Sequence, residues 1–320
     1  MVETNLHASV IVCTRNRAVS LREMLTSLTA MGIPDDTQWE IVVVDNGSTD
    51  HTASVVGEFE GKLPVRRVVE ATPGLSNARN CGIRAARGRY LLWTDDDVSV
   101  DPNWLSAYLA AFKRWPDAAV FGGKIIPLIQ APTPTWFVHG RQLLSGMLAE
   151  RDFGDAPLPL SVPDNRLPYG ANYAVRTREQ HRFPYDPAFG VAPGRARLGE
   201  EQLVIEAMLN SGATGYWVPD SRVRHRIPPS RQTTAYIRKY YQAEGATVAQ
   251  IEGDRGAPFL FGAPRWLWLK CPTSWLRFAW LRIAAHAPQW IEALKVNAHY
   301  CGMLQYWRET RSRRCRRPAK

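Results

Sequence analysis

The chain has 320 residues, 45% hydrophobic, 22% charged and 10% aromatic, with a formal net charge of +10. That is globular composition, long enough for one large domain or two ordinary ones. It holds no 18-residue uncharged apolar run for an ordinary transmembrane helix, and its start, MVETNLHASVIVC, lacks the basic and apolar regions of a signal peptide. The five cysteines (Cys13, Cys81, Cys271, Cys301 and Cys315) are scattered without a C-x-x-C, which reads as reduced thiols of a cytoplasmic protein.

Four short apolar runs punctuate the first third, at 8–13, 41–44, 65–69 and 90–93. Each is bounded by turn residues and reads as a strand. Between the first two, Leu21, Met24, Leu25, Leu28 and Met31 fall near the spacing of one helix face. Residues 49–59 and 76–86 also read as helices. Strand–helix–strand alternation with wholly apolar strands predicts an α/β fold, a parallel sheet covered on both faces. Ligands of such sheets gather beyond the carboxyl ends of the strands. Three polar clusters stand there: Thr14-Arg-Asn-Arg17, Asp45-Asn-Gly-Ser-Thr-Asp50 and Asp95-Asp-Asp97. Further on, 127–168 is rich in Pro and Gly and predicts an excursion with a short helix near 142–149. Residues 200–211 predict a helix ending at Gly212, 216–218 a short strand and 233–250 a helix carrying Tyr236, Tyr240 and Tyr241.

Each cluster has a functional and a plain reading. Like carboxylates repel, and burying them is costly. Two of them one residue apart at a strand end can share a divalent cation with phosphate oxygens. The plain alternative is an acidic turn before a helix starting at Asp101-Pro102. Asp45 can accept hydrogen bonds from a base or ribose while Gly47 turns the chain and Ser48 or Asp50 caps the next helix; a simple turn is the alternative. Arg79 puts a cation near a helix start, where it can meet phosphate or merely solvent. Glu200-Glu201 are either reactive carboxylates or first-turn acids favoured by the helix dipole.

The motifs CTRNR (13–17), VVVDNGSTD (42–50), PGLSNARNCGIRAARG (73–88) and LLWTDDD (91–97), in this order and spacing, resemble the N-terminal half of a family 2 glycosyltransferase. GANYAVR (170–176), LGEE (198–201) and PDSRVRH (219–225) resemble its acceptor half, so the likeness runs over roughly 8–235. The resemblance implies a GT-A fold, a Rossmann-like α/β/α sandwich with a mostly parallel central sheet. It implies an inverting, metal-dependent transferase using a nucleotide-diphosphate sugar, most commonly of UDP, with Mg²⁺ or Mn²⁺. Carried over to this chain, Thr14, Arg15, Arg17 and Asp45 line the nucleotide pocket, and Gly74, Asn77 and Arg79 flank nucleotide and diphosphate. Asp97 is the foremost metal ligand, with Asp95 a second and Asp95 or Asp96 near the ribose. Gly170, Ala171 and Asn172 border donor sugar and acceptor. Glu201 is the general base with Glu200 second, although the family more often has Asp at the second position. His225 reaches metal or diphosphate, and Arg231, in IPPSRQT, closes over the diphosphate. The expected layout is a catalytic domain over 1–255, divided at 125, and a helical extension over 256–320.

Residues 260–320 hold 12 Lys/Arg but only Glu292 and Glu309, and six of the twelve tryptophans, so the charge excess lies in this tail. On a helix from Ser274, Leu276, Trp280 and Ile283 form a stripe flanked by Arg277 and Arg282. Such a segment either lies on an anionic membrane surface or caps the catalytic domain. A polybasic end at 311–320 also suggests nucleic acid, but no recognition module accompanies it, and no nucleic-acid partner is expected. The expected setting is the inner face of a membrane, with a glycan or lipid-linked acceptor. Two rival functions are a sugar nucleotidyltransferase, disfavoured because CTRNRAVS has no glycine after the first strand, and a non-catalytic relative, disfavoured because both acidic motifs are present.

Overall fold

In a computed structural model of the protein, residues 6–315 are described, with side chains through 310. The described chain divides into two compact units. One comprises residues up to 128, 148–195 and 199–226; the other comprises 129–147, 196–198 and 227 onward.

The first unit is built on β1 (Ala8–Thr14), α1 (Ala18–Leu28), β2 (Trp39–Asp45), α2 (Thr52–Gly57), β3 (Val65–Val69), α3 (Leu75–Ala85) and β4 (Tyr90–Asp95). Strands β3, β2, β1 and β4 pair in parallel, with Val10 opposite Ile41 and Leu92. Alternation along each strand supplies two cores, because successive side chains point to opposite faces. Val10, Val12, Ile41 and Val43 meet Leu21, Met24, Leu25 and Leu28 of α1 on one face. Ile11, Val42 and Val44 meet Ala78, Cys81 and Ile83 of α3 on the other. Each such side chain contributes about 1.5–3 kcal/mol by leaving water. The parallel sheet covered on both faces is present as expected.

The sheet then continues with antiparallel pairings, which the apolar runs did not reveal. After β4 come β5 (Val98–Val100), α4 (Trp104–Arg114), β6 (Val120–Ile129), and β7 (Tyr173–Arg176), which pairs antiparallel with both β4 and β6. The helix expected near 142–149 lies earlier, as α5 (Thr135–Gly140) with a 3₁₀ turn over Arg141–Leu144. Pro134 stands just before it, where a missing N–H is harmless, and Gly140 and Gly146 interrupt the helical pattern. Then follow α6 (Thr177–Arg182), β8 (Gly190–Ala192), β9 (Arg195–Arg197), α7 (Glu200–Asn210) and β10 (Gly215–Ile227). Strand β10 is far longer than the expected 216–218, because its buried positions alternate with Asp220 and Arg224, which break up its apolar pattern. The eight-stranded order is β3-β2-β1-β4-β7-β6-β10-β5.

In the second unit, α8 (Thr234–Glu252) joins the tail helices α9 (Arg265–Ala284) and α10 (Ala287–Cys315), with the hairpin β11 (Phe259–Leu260) and β12 (Ala263–Pro264) before them. Thr233 caps α8 by accepting from Tyr236 N–H at 3.1 Å. Helices α8 and α10 approach through glycine: a Cβ on Gly245 would collide with the His299 carbonyl, and one on Gly302 with that of Gln242. Cys271 and Cys301 meet as thiols, and the hydrogen bond from Cys271 brings Cys301 down to about 7. Among the described residues no helix is long and apolar enough to cross a membrane. The polybasic end at 311–320 lies outside the described side chains.

Candidate active site

The carboxyl ends of β1, β2 and β4 bring the three polar clusters together, as α/β sheets do with their ligand sites. The Asp triplet is bound to the first cluster. Thr14 Oγ1 donates to Asp96 Oδ2 at 2.7 Å, and Arg17 Nη1 to Asp96 Oδ1 at 2.6 Å. Arg17 Nη2 reaches Asp97 Oδ2 at 2.9 Å. Both Asp96 oxygens are thus held by β1 and the loop after it, and Asp96 is buried. Burial pushes the Asp96 carboxyl up to about 7, against the pull of Arg17. Asp95 is more open to solvent. Its carboxyl is also raised, first by burial and then by repulsion from Asp97, while Arg79 and His225 oppose the shift.

Across the triplet stands His225, on β10 opposite Val98. Its Nδ1 lies 2.8 Å from the Leu148 carbonyl, which can only accept, so Nδ1 carries the proton in the neutral ring. The Nε2 lone pair then faces Asp97 Oδ1, 3.5 Å away. Two carboxylates beside an imidazole nitrogen suit a divalent cation whose remaining ligands are phosphate oxygens and water. Among the described residues, no three His, Cys, Asp or Glu side chains enclose a metal by themselves.

At the end of β2, Asp45 Oδ1 accepts from Ser48 N–H at 2.8 Å, and Oδ2 accepts from Arg67 at 2.7 Å. The carboxylate keeps further lone pairs for a ligand. Arg15 donates to the Asn46 carbonyl at 2.9 Å. Asn46 shapes the next loop: its Nδ2 donates to the carbonyls of Glu70 and Thr72, and its Oδ1 accepts from Gly74 N–H at 2.8 Å. Gly74, at φ 133°, turns the chain into α3 in a conformation other residues rarely adopt. Asn77 closes that turn onto the Pro73 carbonyl at 3.1 Å.

From α3, the buried Arg79 reaches the start of α7. Its Nη1 donates to Glu200 Oε1 at 2.9 Å and lies 3.5 Å from Glu201 Oε2. Glu201 Oε1 in turn accepts from Gly170 N–H at 3.2 Å. Glu200 is the more buried of the two acids, at 5% side-chain exposure against 14%. Burial raises the Glu200 carboxyl to about 7 despite Arg79. Glu200 also borders a cleft of about 240 Å³ walled by Phe183, Phe189, Leu203 and Val204. Because Asp95 feels Arg79, His225 and Glu201 directly, the triplet and the acidic pair are one electrostatic cluster.

One expected contact needs correction. Asn172 is wholly buried, and its amide group is fully engaged. It accepts from Trp104 Nε1 at 2.8 Å and Tyr108 Oη at 2.9 Å, and donates to the carbonyls of Lys124 and Ser221. It anchors the Gly170–Ala171 backbone rather than touching a sugar, and Ala171 is itself buried. Arg231 belongs to the second unit, in a 3₁₀ turn with its guanidinium 5.8 Å from the Tyr236 ring. The sequence reading also missed three residues. Arg67 and Asn46 hold the β2 loop. Arg226 binds the backbone carbonyls of Asp96, Val98 and Ser20, and Ser99 Oγ. Its only sequence signal is its place beside His225.

Residues 9–145 match the model of Glycosyl transferase family 2. The chain carries a family 2 glycosyl transferase domain. The succinoglycan biosynthesis protein ExoM of Rhizobium meliloti (strain 1021) is 25% identical to this transferase over 258 residues, 80% of this chain and 78% of that protein. Three further relatives are matched over only 14%, 53% and 17% of their own length. Among solved structures, the mannosyltransferase PcManGT from Pyrobaculum calidifontis, in complex with GDP-Man and Mn²⁺, superposes with a TM-score of 0.62. It is 18% identical, with 95% of this chain and 88% of that one covered. S. aureus TarS 1–349 in complex with UDP-GlcNAc gives 0.55 at 17% identity, covering 94% and 91%. These likenesses show the fold of the transferase, which is GT-A.

Proposed function

We propose that the protein transfers a sugar, with inversion, from a nucleotide-diphosphate sugar to an acceptor hydroxyl in the synthesis of a cell-surface glycan or glycolipid. The single observation that carries this reading is the grouping of Asp95 and Asp97 after β4 with Arg79 of α3 and Glu201 at the start of α7. In this reading a diphosphate lies beside a carboxylate that takes up a proton. UDP is the proposed carrier, a choice in keeping with the UDP-GlcNAc of the TarS complex. The proposed acceptor is a glycan or a lipid-linked sugar at the inner face of a membrane.

In this reading Glu201 is the general base. It is the more accessible acid, and Gly170 N–H and Arg79 hold its two oxygens in a fixed direction. It takes the proton of the acceptor hydroxyl, whose oxygen attacks the anomeric carbon opposite the diphosphate as the glycosidic bond to phosphate breaks. Glu200 holds Arg79 in place, and Asp45 orients the nucleoside. A divalent cation held by Asp97 and Asp95, with His225 beside them, would neutralise charge on the leaving diphosphate.

The test combines nucleotide binding with transfer. Thermal shifts with UDP, GDP and their sugars, with and without Mn²⁺, identify the donor. Asp97→Ala is expected to abolish the Mn²⁺-dependent part of binding. Glu201→Gln is expected to keep binding and lose about 10²–10⁴-fold in transfer. Full turnover by Glu201→Gln would remove the base assignment.

A further inference from the structure

Helix α9 is apolar on two opposite sides, and only one of them is packed. Leu267, Cys271 and Ser274 are buried, and Asn297 of α10 donates to the Cys271 carbonyl and to Ser274 Oγ on that side. At 100° per residue, Leu269, Leu276, Trp280 and Ile283 fall within about 60° of one another on the opposite side. They are 68%, 60%, 66% and 91% exposed. The stripe spans fourteen residue steps from the first to the last, roughly 21 Å. Phe261, at the tip of the β11–β12 hairpin, is 79% exposed and lies 6.1 Å from the Trp268 ring beside the helix start. A soluble surface rarely carries so continuous an apolar strip without a partner.

The charges around the strip say what that partner is. Lys270 and Arg277 line one edge and Arg265 opens the helix, whereas Arg282 turns to the packed side, its guanidinium 4.5 Å from the Trp290 ring. No Asp or Glu occurs between Asp254 and Glu292. A second copy seated on the same face would bring two basic rims together, whichever way round it lay, and like charges across an interface are costly. An anionic bilayer provides the complement to both features. Its headgroups meet the cations, its acyl boundary takes the leucine, isoleucine and phenylalanine, and an indole ring suits the level between them.

We propose that α9 lies in the plane of an anionic membrane surface, with Leu269, Leu276, Trp280 and Ile283 inserted and Lys270 and Arg277 on the headgroups. This rests on the proposed setting at a membrane face and names the surface that meets it. The helix is too polar to cross the bilayer, so the attachment is monotopic and reversible.

The test is co-sedimentation of the full chain with vesicles of phosphatidylcholine alone or mixed with phosphatidylglycerol. The wild type is expected to sediment with the mixed vesicles, to be released by high salt, and to shift its tryptophan emission to the blue. Trp280→Gln/Ile283→Gln, two exposed positions with all charges kept, is expected to weaken binding about tenfold or more and to lose most of that shift. Leu269→Gln/Leu276→Gln is a second probe of the same strip. Unchanged sedimentation of both double variants would overturn the proposal, because the attachment would lie elsewhere. A concentration-dependent dimer that the substitutions dissolve, with no vesicle binding, would also overturn it in favour of a second copy. Nucleotide binding and transfer to a water-soluble acceptor are expected to survive in both variants. Loss of vesicle binding in the wild type with nucleotide binding intact would defeat this inference alone. Vesicle binding without any nucleotide binding would defeat the transferase reading alone.

Discussion

Gly170→Ala isolates the position of the acidic pair from everything else in the site. A Cβ at this residue would stand 2.7 Å from Arg79 Nη2 and 3.3 Å from Glu201 Cδ and Oε1. An ordinary contact needs ~3.5 Å, so Arg79 must retreat by roughly 0.8 Å and Glu201 by roughly 0.2 Å. Arg79 is badly placed to do so. It is buried, it is held at 2.9 Å by Glu200, and its guanidinium lies 5.3 Å from the Tyr185 ring. Any shift of Arg79 carries over to Glu201, whose Oε2 lies 3.5 Å from the same guanidinium and whose Oε1 is bonded to Gly170 N–H. Gly170 has no left-handed φ, so backbone strain does not confuse the result. Overpacking of this kind costs ~1–3 kcal/mol, or about 2–4 °C in Tm for each kcal/mol in a unit of this size. A catalytic group displaced by ~1 Å loses about 10²-fold in rate, equivalent to ~2.7 kcal/mol of barrier. The expected result is a kcat about a hundredfold lower with nucleotide affinity unchanged. It is read by steady-state transfer and by titration calorimetry with UDP and Mn²⁺. Gly32→Ala, which meets nothing within 4 Å, serves as the control. A Gly170→Ala protein with lowered Tm but wild-type kcat would refute the placement of Glu201 at the reaction.

Two further predictions concern the electrostatics. The Glu200 carboxyl is raised by burial from 4.5 to about 7, so between those values the folded state binds the proton more tightly than the unfolded state. Stability therefore falls as pH rises through that window, by about 3 kcal/mol at most for this group. Glu200→Gln is expected to flatten the decline in urea unfolding measured from pH 4.5 to 7, and an unchanged slope would show that Glu200 is not the group responsible. Arg226→Met removes the donor to the carbonyls of Asp96, Val98 and Ser20. Leaving them unpaired is expected to cost about 3–5 kcal/mol and to weaken Mn²⁺-dependent nucleotide binding as the Asp loop loosens. Calorimetric unfolding checks the first effect; wild-type stability would end the argument for Arg226 as the latch.

The parallel half of the sheet was legible because its strands are buried on both faces and appear in the sequence as runs such as VIV and IVVV. The strand-end clusters were legible for a related reason: polar groups directly after such runs have few other places to lie. The antiparallel half was not, since strand β10 mixes Asp220, Arg222 and Arg224 with buried residues, and its pairing with β5 joins segments more than a hundred residues apart. What each site residue does was also beyond local pattern. The motif position of Asn172 suggested a sugar contact, yet its side chain accepts from Trp104 and Tyr108 and donates to the carbonyls of Lys124 and Ser221, partners which only folding assembles. Asp96 and Asp97 are adjacent in the chain, but Thr14 and Arg17 take both oxygens of the first and one of the second. In the tail, the sequence by itself determined that tryptophans and cations are concentrated after residue 260. Only the tertiary structure decided which face of α9 packs on α10 and which is left to solvent, because burial is a property of the neighbours a helix meets rather than of its own spacing.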